Sequence, residues 1–383
     1  MIAQINLILA LFFNPISESI LVPLDHANPE SRKITIRYHF ENQFDSHKET
    51  IFSIEDPIDE AYEDFELGNS IKEEFNWVRI SGRYFSEDLK EFLNENAEGD
   101  GGKIYRWLNQ NQVAKDIDLI RKKILGNRKV ILFGYSSSSA LFLHYLSTHT
   151  NSVSKLIFIN PLLLDIQNNL SFWGFSESFK NSPTDLSNGE FFDFAYQSSH
   201  DYFNLPASKR DSLISKSLKE FDDQISDSIL ISDQFPMSFA VRSFEHTLGL
   251  EQIGNSFDPI SNYLRDKSEP IRASYSQQKF PVTGINYDAG LSFKGEVMII
   301  GGAFNLLVNP KVVDVLAEFF PESTLILFRD GHSLEKIKRE EEFSNLLLAF
   351  LKNDFGMKVK AYQSLADLNM LFFEKEYNSI RVD

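Results

Sequence analysis

Residues 129–161, KVILFGYSSSSALFLHYLSTHTNSVSKLIFINP, constrain the fold more than any other stretch of the chain. KVILFG (129–134) reads as a short apolar strand of the kind buried on both faces of a parallel sheet. SALFLHYLSTHT (139–150) reads as a helix, and KLIFINP (155–161) as a second buried strand. Between the first strand and the helix, Gly134-Tyr135-Ser136-Ser137-Ser138 has the spacing small-x-Ser-x-small. A sharp strand-to-helix turn forces its central serine into a strained backbone conformation, so the residues two before and two after must be small. Gly134 and Ser138 meet that demand. On this reading Ser136 projects its hydroxyl above the sheet as a nucleophile, and the Ser137 amide, at the helix N-terminus, is placed to hold an oxyanion. The competing reading is a serine-capped helix start, because serine is a favoured N-cap. The order strand, turn, helix, strand favours the first.

The same rhythm extends in both directions. KITIRYHF (33–40), TIFSI (50–54) and NWVRIS (76–81) read as strands. NQVAKDIDLIRKKIL (111–125) is an amphipathic helix with Val113, Ile117, Ile120 and Ile124 on one face. GEVMIIGG (295–302), PKVVDVLAEFF (310–320), TLILFRD (324–330) and REEEFSNLLLAFLKND (339–354) continue as strand, helix, strand and helix. The alternation predicts an α/β fold with a doubly wound, mostly parallel sheet. Residues 164–293 break the pattern: they are polar and aromatic, helical in pitch (DSLISKSLKEFDDQI, 211–225), and carry no buried-strand run. They are expected to form a helical cap inserted into a core made of 20–163 and 294–356, with 357–383 as a C-terminal extension.

Charge and cysteine content narrow the function. A net charge of −17 repels phosphate backbones and anionic lipid, so neither nucleic acid nor a membrane surface is an expected partner. The absence of cysteine excludes disulfides, thiolate metal sites and cysteine nucleophiles. No metal or other cofactor is expected. Ile5 to Phe13 has the length of a signal-peptide apolar region, and Ser17-Glu18-Ser19 fits a cleavage site, although no Lys or Arg precedes the run. Residues 1–19 therefore read either as a signal peptide or as a first buried strand. Cleavage implies a periplasmic or secreted protein, and retention a cytoplasmic one. No other segment has the ~20 apolar residues of an integral membrane span.

A serine nucleophile needs a base, and on this architecture the acid and then the histidine follow it in the chain. Of eight histidines only His332, in LFRDGHSLEKIK, follows the insertion, whereas His144 and His149 lie on the helix after the turn and read as structural. The acid is expected in AFNLLVNP, directly after GEVMIIGG, where Asn305 stands instead of Asp. Asparagine orients an imidazole but does not stabilise imidazolium. Asp330 and Asp288 are the alternative acids. The second oxyanion donor is expected from the loop after the third strand, yet residues 51–68 contain no glycine before Gly68 and many carboxylates. Unpaired, these oppose a developing negative charge; they also suit a substrate's ammonium group.

VPLDHANPESRKITIRYHFENQF (22–44) resembles the opening of the Pro-X carboxypeptidase and dipeptidyl peptidase II family, and of the related secreted bacterial tripeptidyl aminopeptidases. SGRYFSED (81–88) resembles their Arg-Tyr-Phe-Gly-x-Ser loop through Arg83, Tyr84 and Phe85, with Ser86 in place of the glycine. Trp107, Leu108, Gln112, Ala114 and Asp116 match their Trp, Leu, Gln-Ala-x-x-Asp helix. The resemblance covers about residues 20–165, is weaker over 295–335, and does not reach the insertion. It implies an α/β-hydrolase fold, export, and serine exopeptidase chemistry on a peptide or small acyl substrate, with Ser136 at the nucleophile and His332 at the base. Ser138 and Ser139 stand where relatives carry glycines, the glycine loop has become EDPIDE, and the acid has become Asn305. An inactive hydrolase-fold binding protein is therefore the rival expectation, and a carboxylesterase the third.

Overall fold

The computed structural model describes residues 16–59, 68–97, 99–166, 235–248 and 259–378, with scattered positions between 190 and 216. Nine strands form one sheet: β1 (Ile16–Pro23), β2 (Lys33–Phe40), β3 (Thr50–Ile54), β4 (Asn76–Ile80), β5 (Val130–Tyr135), β6 (Val153–Ile159), β7 (Glu296–Gly302), β8 (Glu322–Phe328) and β9 (Leu371–Asn378). Their order is β1-β2-β4-β3-β5-β6-β7-β8-β9. The run from β4 to β8 is parallel throughout, and β1–β2, β2–β4 and β8–β9 are antiparallel. All six residues of β5 are buried, as are the last five of β6, which is what a sheet covered on both faces requires.

The helices that matter for the site are α1 (Glu87–Asn96), α2 (Gly101–Leu108), α3 (Gln110–Leu125), α4 (Ser138–His149), α5 (Pro236–His246), α6 (Pro310–Glu318), α7 (Glu341–Lys352) and α8 (Phe355–Asp367). The Asn109 side chain caps α3 by accepting from the Asn111 and Gln112 amides, and Gly126, at φ 61°, ends it. The mostly parallel sheet wound with helices is thus observed, with strand and helix limits close to those read from the sequence. Between β6 and β7 the described residues form helices, α5 and the segments Pro259–Lys267, Glu269–Gln277 and Asp288–Ser292. Most of 211–225 lies outside the described residues.

Two ends of the chain add to the core. Ser17, Glu18 and Ser19 lie within β1, whose eight residues pair in full with β2, Ser19 opposite Arg37. The C-terminal extension, given no structure from sequence, forms α8 and then β9 as an antiparallel edge strand on β8. No helix among the described residues is long and apolar enough to cross a membrane.

The residues that carried the family resemblance are scaffold. Arg83 is fully buried and grips Asp116 through Nε (2.6 Å) and Nη2 (2.8 Å), while its Nη1 donates to the carbonyls of Leu24 and Trp107. His26 reaches the same Asp116 carboxylate at 2.7 Å, and Gln112 receives the His26 amide and donates to Asp25. The cluster ties the turn between β1 and β2 to α2 and α3, with Arg106 of α2 pairing with Asp25 at 2.6 Å.

Candidate active site

Ser136 sits between the end of β5 and the start of α4 with φ 47°, a left-handed conformation that a serine adopts only under constraint. Hydrogen bonds on both sides hold it there: its amide donates to Ile159 at the end of β6, and its carbonyl accepts from Leu162. The small residues have their predicted reason. A Cβ on Gly134 would meet the Ser139 Cα at 2.9 Å and the Phe158 ring at 3.0 Å. The Ser138 hydroxyl accepts from the Tyr135 amide (2.9 Å) and donates to the Tyr135 carbonyl (2.7 Å), stapling the turn from the far side.

His332 lies in the loop after β8 and is fully buried, with Nε2 3.1 Å from Ser136 Oγ. Two features that sequence reasoning missed bring this loop to the sheet. Asn160, at φ 46° just past β6, accepts from the Gly302 amide (2.8 Å) and donates to the His332 carbonyl (2.5 Å). Gly302 leaves room for the loop, since a Cβ there would stand 2.2 Å from the Gly331 carbonyl oxygen. The paired glycines closing β7 were the available signal.

Asn305 occupies the acid position, its Nδ2 3.0 Å from His332 Nδ1. Its orientation is fixed from behind, because Oδ1 accepts from the backbone amides of Leu307 (2.9 Å) and Val308 (3.0 Å). Backbone amides only donate, so the atom facing Nδ1 is an NH2 group. Nδ1 is therefore the acceptor, and the imidazole proton sits on Nε2, pointing at Ser136 Oγ. The hydrogen bonds run from Asn305 through His332 towards the serine, the reverse of the direction in which a base withdraws the serine's proton. Burial lowers the His332 pKa to about 3, so the ring is neutral at pH 7.

The alternative acids lie elsewhere. Asp330 accepts from the Gly331, Lys336 and Ile337 amides and so braces its own loop. Asp288 is exposed on the helix Asp288–Ser292.

The oxyanion hole departs furthest from expectation. The Ser137 amide is not open to a substrate: it donates to Asp59 Oδ2 at 2.8 Å, and the Ser137 hydroxyl donates to the same oxygen at 2.6 Å. The Ser138 amide approaches that oxygen at 3.4 Å. Asp59 comes from the loop after β3, where the second oxyanion donor was expected, and it supplies a carboxyl instead. Burial and the neighbouring Asp56 charge push its pKa up to about 8, against the hydrogen bonds from Ser137. Asp56 is itself paired with Arg242 of α5, 2.7 Å from Nη2. Arg242 also holds Glu245 at 2.8 Å and donates to the Ser137 carbonyl at 3.2 Å. Asp56 and Asp59 are thus engaged within the protein and not presented to a substrate amine.

Among the described residues, two small cavities lie against these side chains. A cavity of about 40 Å³ touches Asp56, Asp59, Trp77, Arg79 and Tyr135. A second, of about 50 Å³, lies against Arg242, Glu245, His246 and Asp165. Each admits a few waters, and Ser136 itself has no exposed surface. Among the described residues no group of three or more His, Asp or Glu side chains is arranged to hold a metal.

Several solved structures are similar to this chain. Rv0554 from Mycobacterium tuberculosis is 14% identical over 88% of this chain and 99% of its own, with a TM-score of 0.47. The 2-hydroxy-6-oxo-6-phenylhexa-2,4-dienoate hydrolase of Rhodococcus sp. strain RHA1 is 11% identical over 88% and 100%, with a TM-score of 0.46. The enol-lactonase of Burkholderia xenovorans LB400 is 11% identical over 83% and 97%, with a TM-score of 0.45. A search of curated protein sequences gave no match. Residues 106–334, more than half of the chain, match the sequence profile of the alpha/beta hydrolase fold. With β5, the strained turn at Ser136 and His332 all inside that match, the chain belongs to the α/β-hydrolase fold family.

Proposed function

We propose that this chain is a hydrolase-fold binding protein, in which the Ser136–His332 pair holds an acyl or peptide ligand and does not turn it over. One observation carries the reading: Asn305 donates to His332 Nδ1, which keeps the imidazole proton on Nε2, donated towards Ser136 Oγ. A serine that accepts from its histidine is not activated by it. The test is labelling with a fluorophosphonate probe at pH 7, with Ser136→Ala and His332→Ala as controls. Ser136-dependent labelling should be absent, and labelling at the rate of a working serine hydrolase would overturn the reading.

The second reading is a serine hydrolase, an exopeptidase of the aminopeptidase type or a carboxylesterase. The strained Ser136 backbone favours it, because such strain persists where function uses it. In that case Ser136 attacks the acyl carbon, His332 carries the proton to the leaving group, and the Ser137 amide holds the oxyanion after Asp59 has withdrawn. Release of p-nitroaniline from aminoacyl anilides, abolished by Ser136→Ala, would establish it. The Asp56–Arg242 pair weighs against a free-amine pocket at residues 55–59. Export to the periplasm or medium is part of both readings. Sequencing the mature N-terminus tests it, and cleavage after Ser19 would divide β1 at its middle.

A further inference from the structure

The binding reading leaves Asp59 unexplained, because a plain loss of turnover needs no carboxyl in the oxyanion hole. Three donors converge on its Oδ2, namely the Ser137 amide, the Ser137 hydroxyl and, more distantly, the Ser138 amide. Its Oδ1 is buried without a hydrogen-bond partner among the described residues. The donors stand at the first turn of the twelve-residue helix α4, where backbone amides have no partner within the helix. Arg242 fixes the same turn from the other side through the Ser137 carbonyl, and its charge is already matched by Asp56 and Glu245.

We propose that the oxyanion hole of this chain is a carboxyl-binding site in which Asp59 is the resident intramolecular ligand, so that an external ligand enters by presenting a carboxylate and displacing Asp59. The inference deepens the binding reading by naming the chemical class of the ligand. Tethering gives Asp59 an effective concentration of millimolar order or above. A simple carboxylate in solution therefore does not displace it from the wild-type protein, and the site is silent towards such small ions until the side chain is removed.

Thermal melting of the full-length protein at pH 7, in sodium acetate against sodium chloride at equal ionic strength, tests this directly. Wild type should melt alike in both salts. Asp59→Ala should melt lower than wild type in chloride and recover saturably with acetate or with acetamide, since both offer the carbonyl oxygen that the three donors require. Asp59→Asn refills the hole with a carboxamide oxygen and should not respond to acetate. An equal acetate response in all three proteins, or none in Asp59→Ala, would overturn the proposal. Should Asp59→Ala be unfolded in chloride, the urea midpoint of Asp59→Ser is titrated with acetate, and an unmoved midpoint is equally decisive. Acetate binding does not require Ser136 to react. The result therefore stands apart from fluorophosphonate labelling, and either reading can fail alone.

Discussion

Asn305→Asp reverses the polarity of the site with a single atom. The introduced carboxylate would keep one oxygen on the Leu307 and Val308 amides and turn the other towards His332 Nδ1, 3.0 Å from the present amide nitrogen. A carboxylate there accepts a hydrogen bond from Nδ1–H, so the imidazole changes tautomer and Nε2 becomes free to accept from Ser136. In chymotrypsin-type proteases, the general example of such a triad, the opposite exchange lowers turnover by ~10⁴. That figure is the ceiling for the gain from the single substitution. A missing oxyanion donor costs ~10²–10³, and Asp59 holds the Ser137 donor. That cost is common to wild type and Asn305→Asp and cancels in their ratio, so the single substitution should raise the rate by up to ~10⁴, with a further ~10²–10³ appearing when it is combined with Asp59→Ala. The assay is the second-order rate constant of fluorophosphonate attachment to Ser136, read by mass spectrometry. A folded Asn305→Asp protein that labels no faster than wild type would refute the tautomer argument. So would a wild-type rate already equal to that of the double variant.

Three further outcomes follow from the geometry. Asp59 has a folded-state pKa of about 8, above the ~3.9 of an unfolded aspartate, so its contribution to folding is full below pH ~3.9 and is lost as pH rises to about 8. The stability of Asp59→Asn relative to wild type, from urea unfolding, should therefore improve by up to ~1.4 kcal/mol per pH unit across that window, and a pH-independent difference would contradict it. Arg242→Met leaves the buried Asp56 and Glu245 carboxylates without their cation and should cost about 3–5 kcal/mol, partly recovered by adding Asp56→Asn. Gly134→Ala drives a Cβ into the Ser139 backbone and the Phe158 ring, and should lower stability by about 1–3 kcal/mol in the same assay, with little loss if the turn has more room than the contacts show.

What the sequence made legible at this site, and what it hid, divides by the range of the constraint. Gly134, Ser136 and Ser138 stand within five residues, and a strand turning sharply into a helix dictates their size with no help from the rest of the chain. Asn305 and His332 were found because each follows a buried apolar strand, and the ends of adjacent parallel strands meet at one edge of the sheet. Asp59 was counted in an acidic loop that should oppose an oxyanion. Its pairing with Ser137 spans 78 residues and depends on the path of that loop, which composition does not specify. Arg242 lies farther still, 105 residues from the Ser137 carbonyl it touches, although a lone arginine among Phe239, Ala240, Val241 and Phe244 was a sign of a buried partner. The direction of the hydrogen-bond relay, by contrast, is encoded locally. Asn305 Oδ1 accepts from amides two and three residues ahead, the turn that asparagine and aspartate side chains commonly make. Once that turn is drawn, the amide nitrogen has only the histidine left to face. An aspartate in the same turn would offer a second oxygen instead, so the chemistry of the buried pair depends on one side-chain atom whose orientation four residues of sequence already determine.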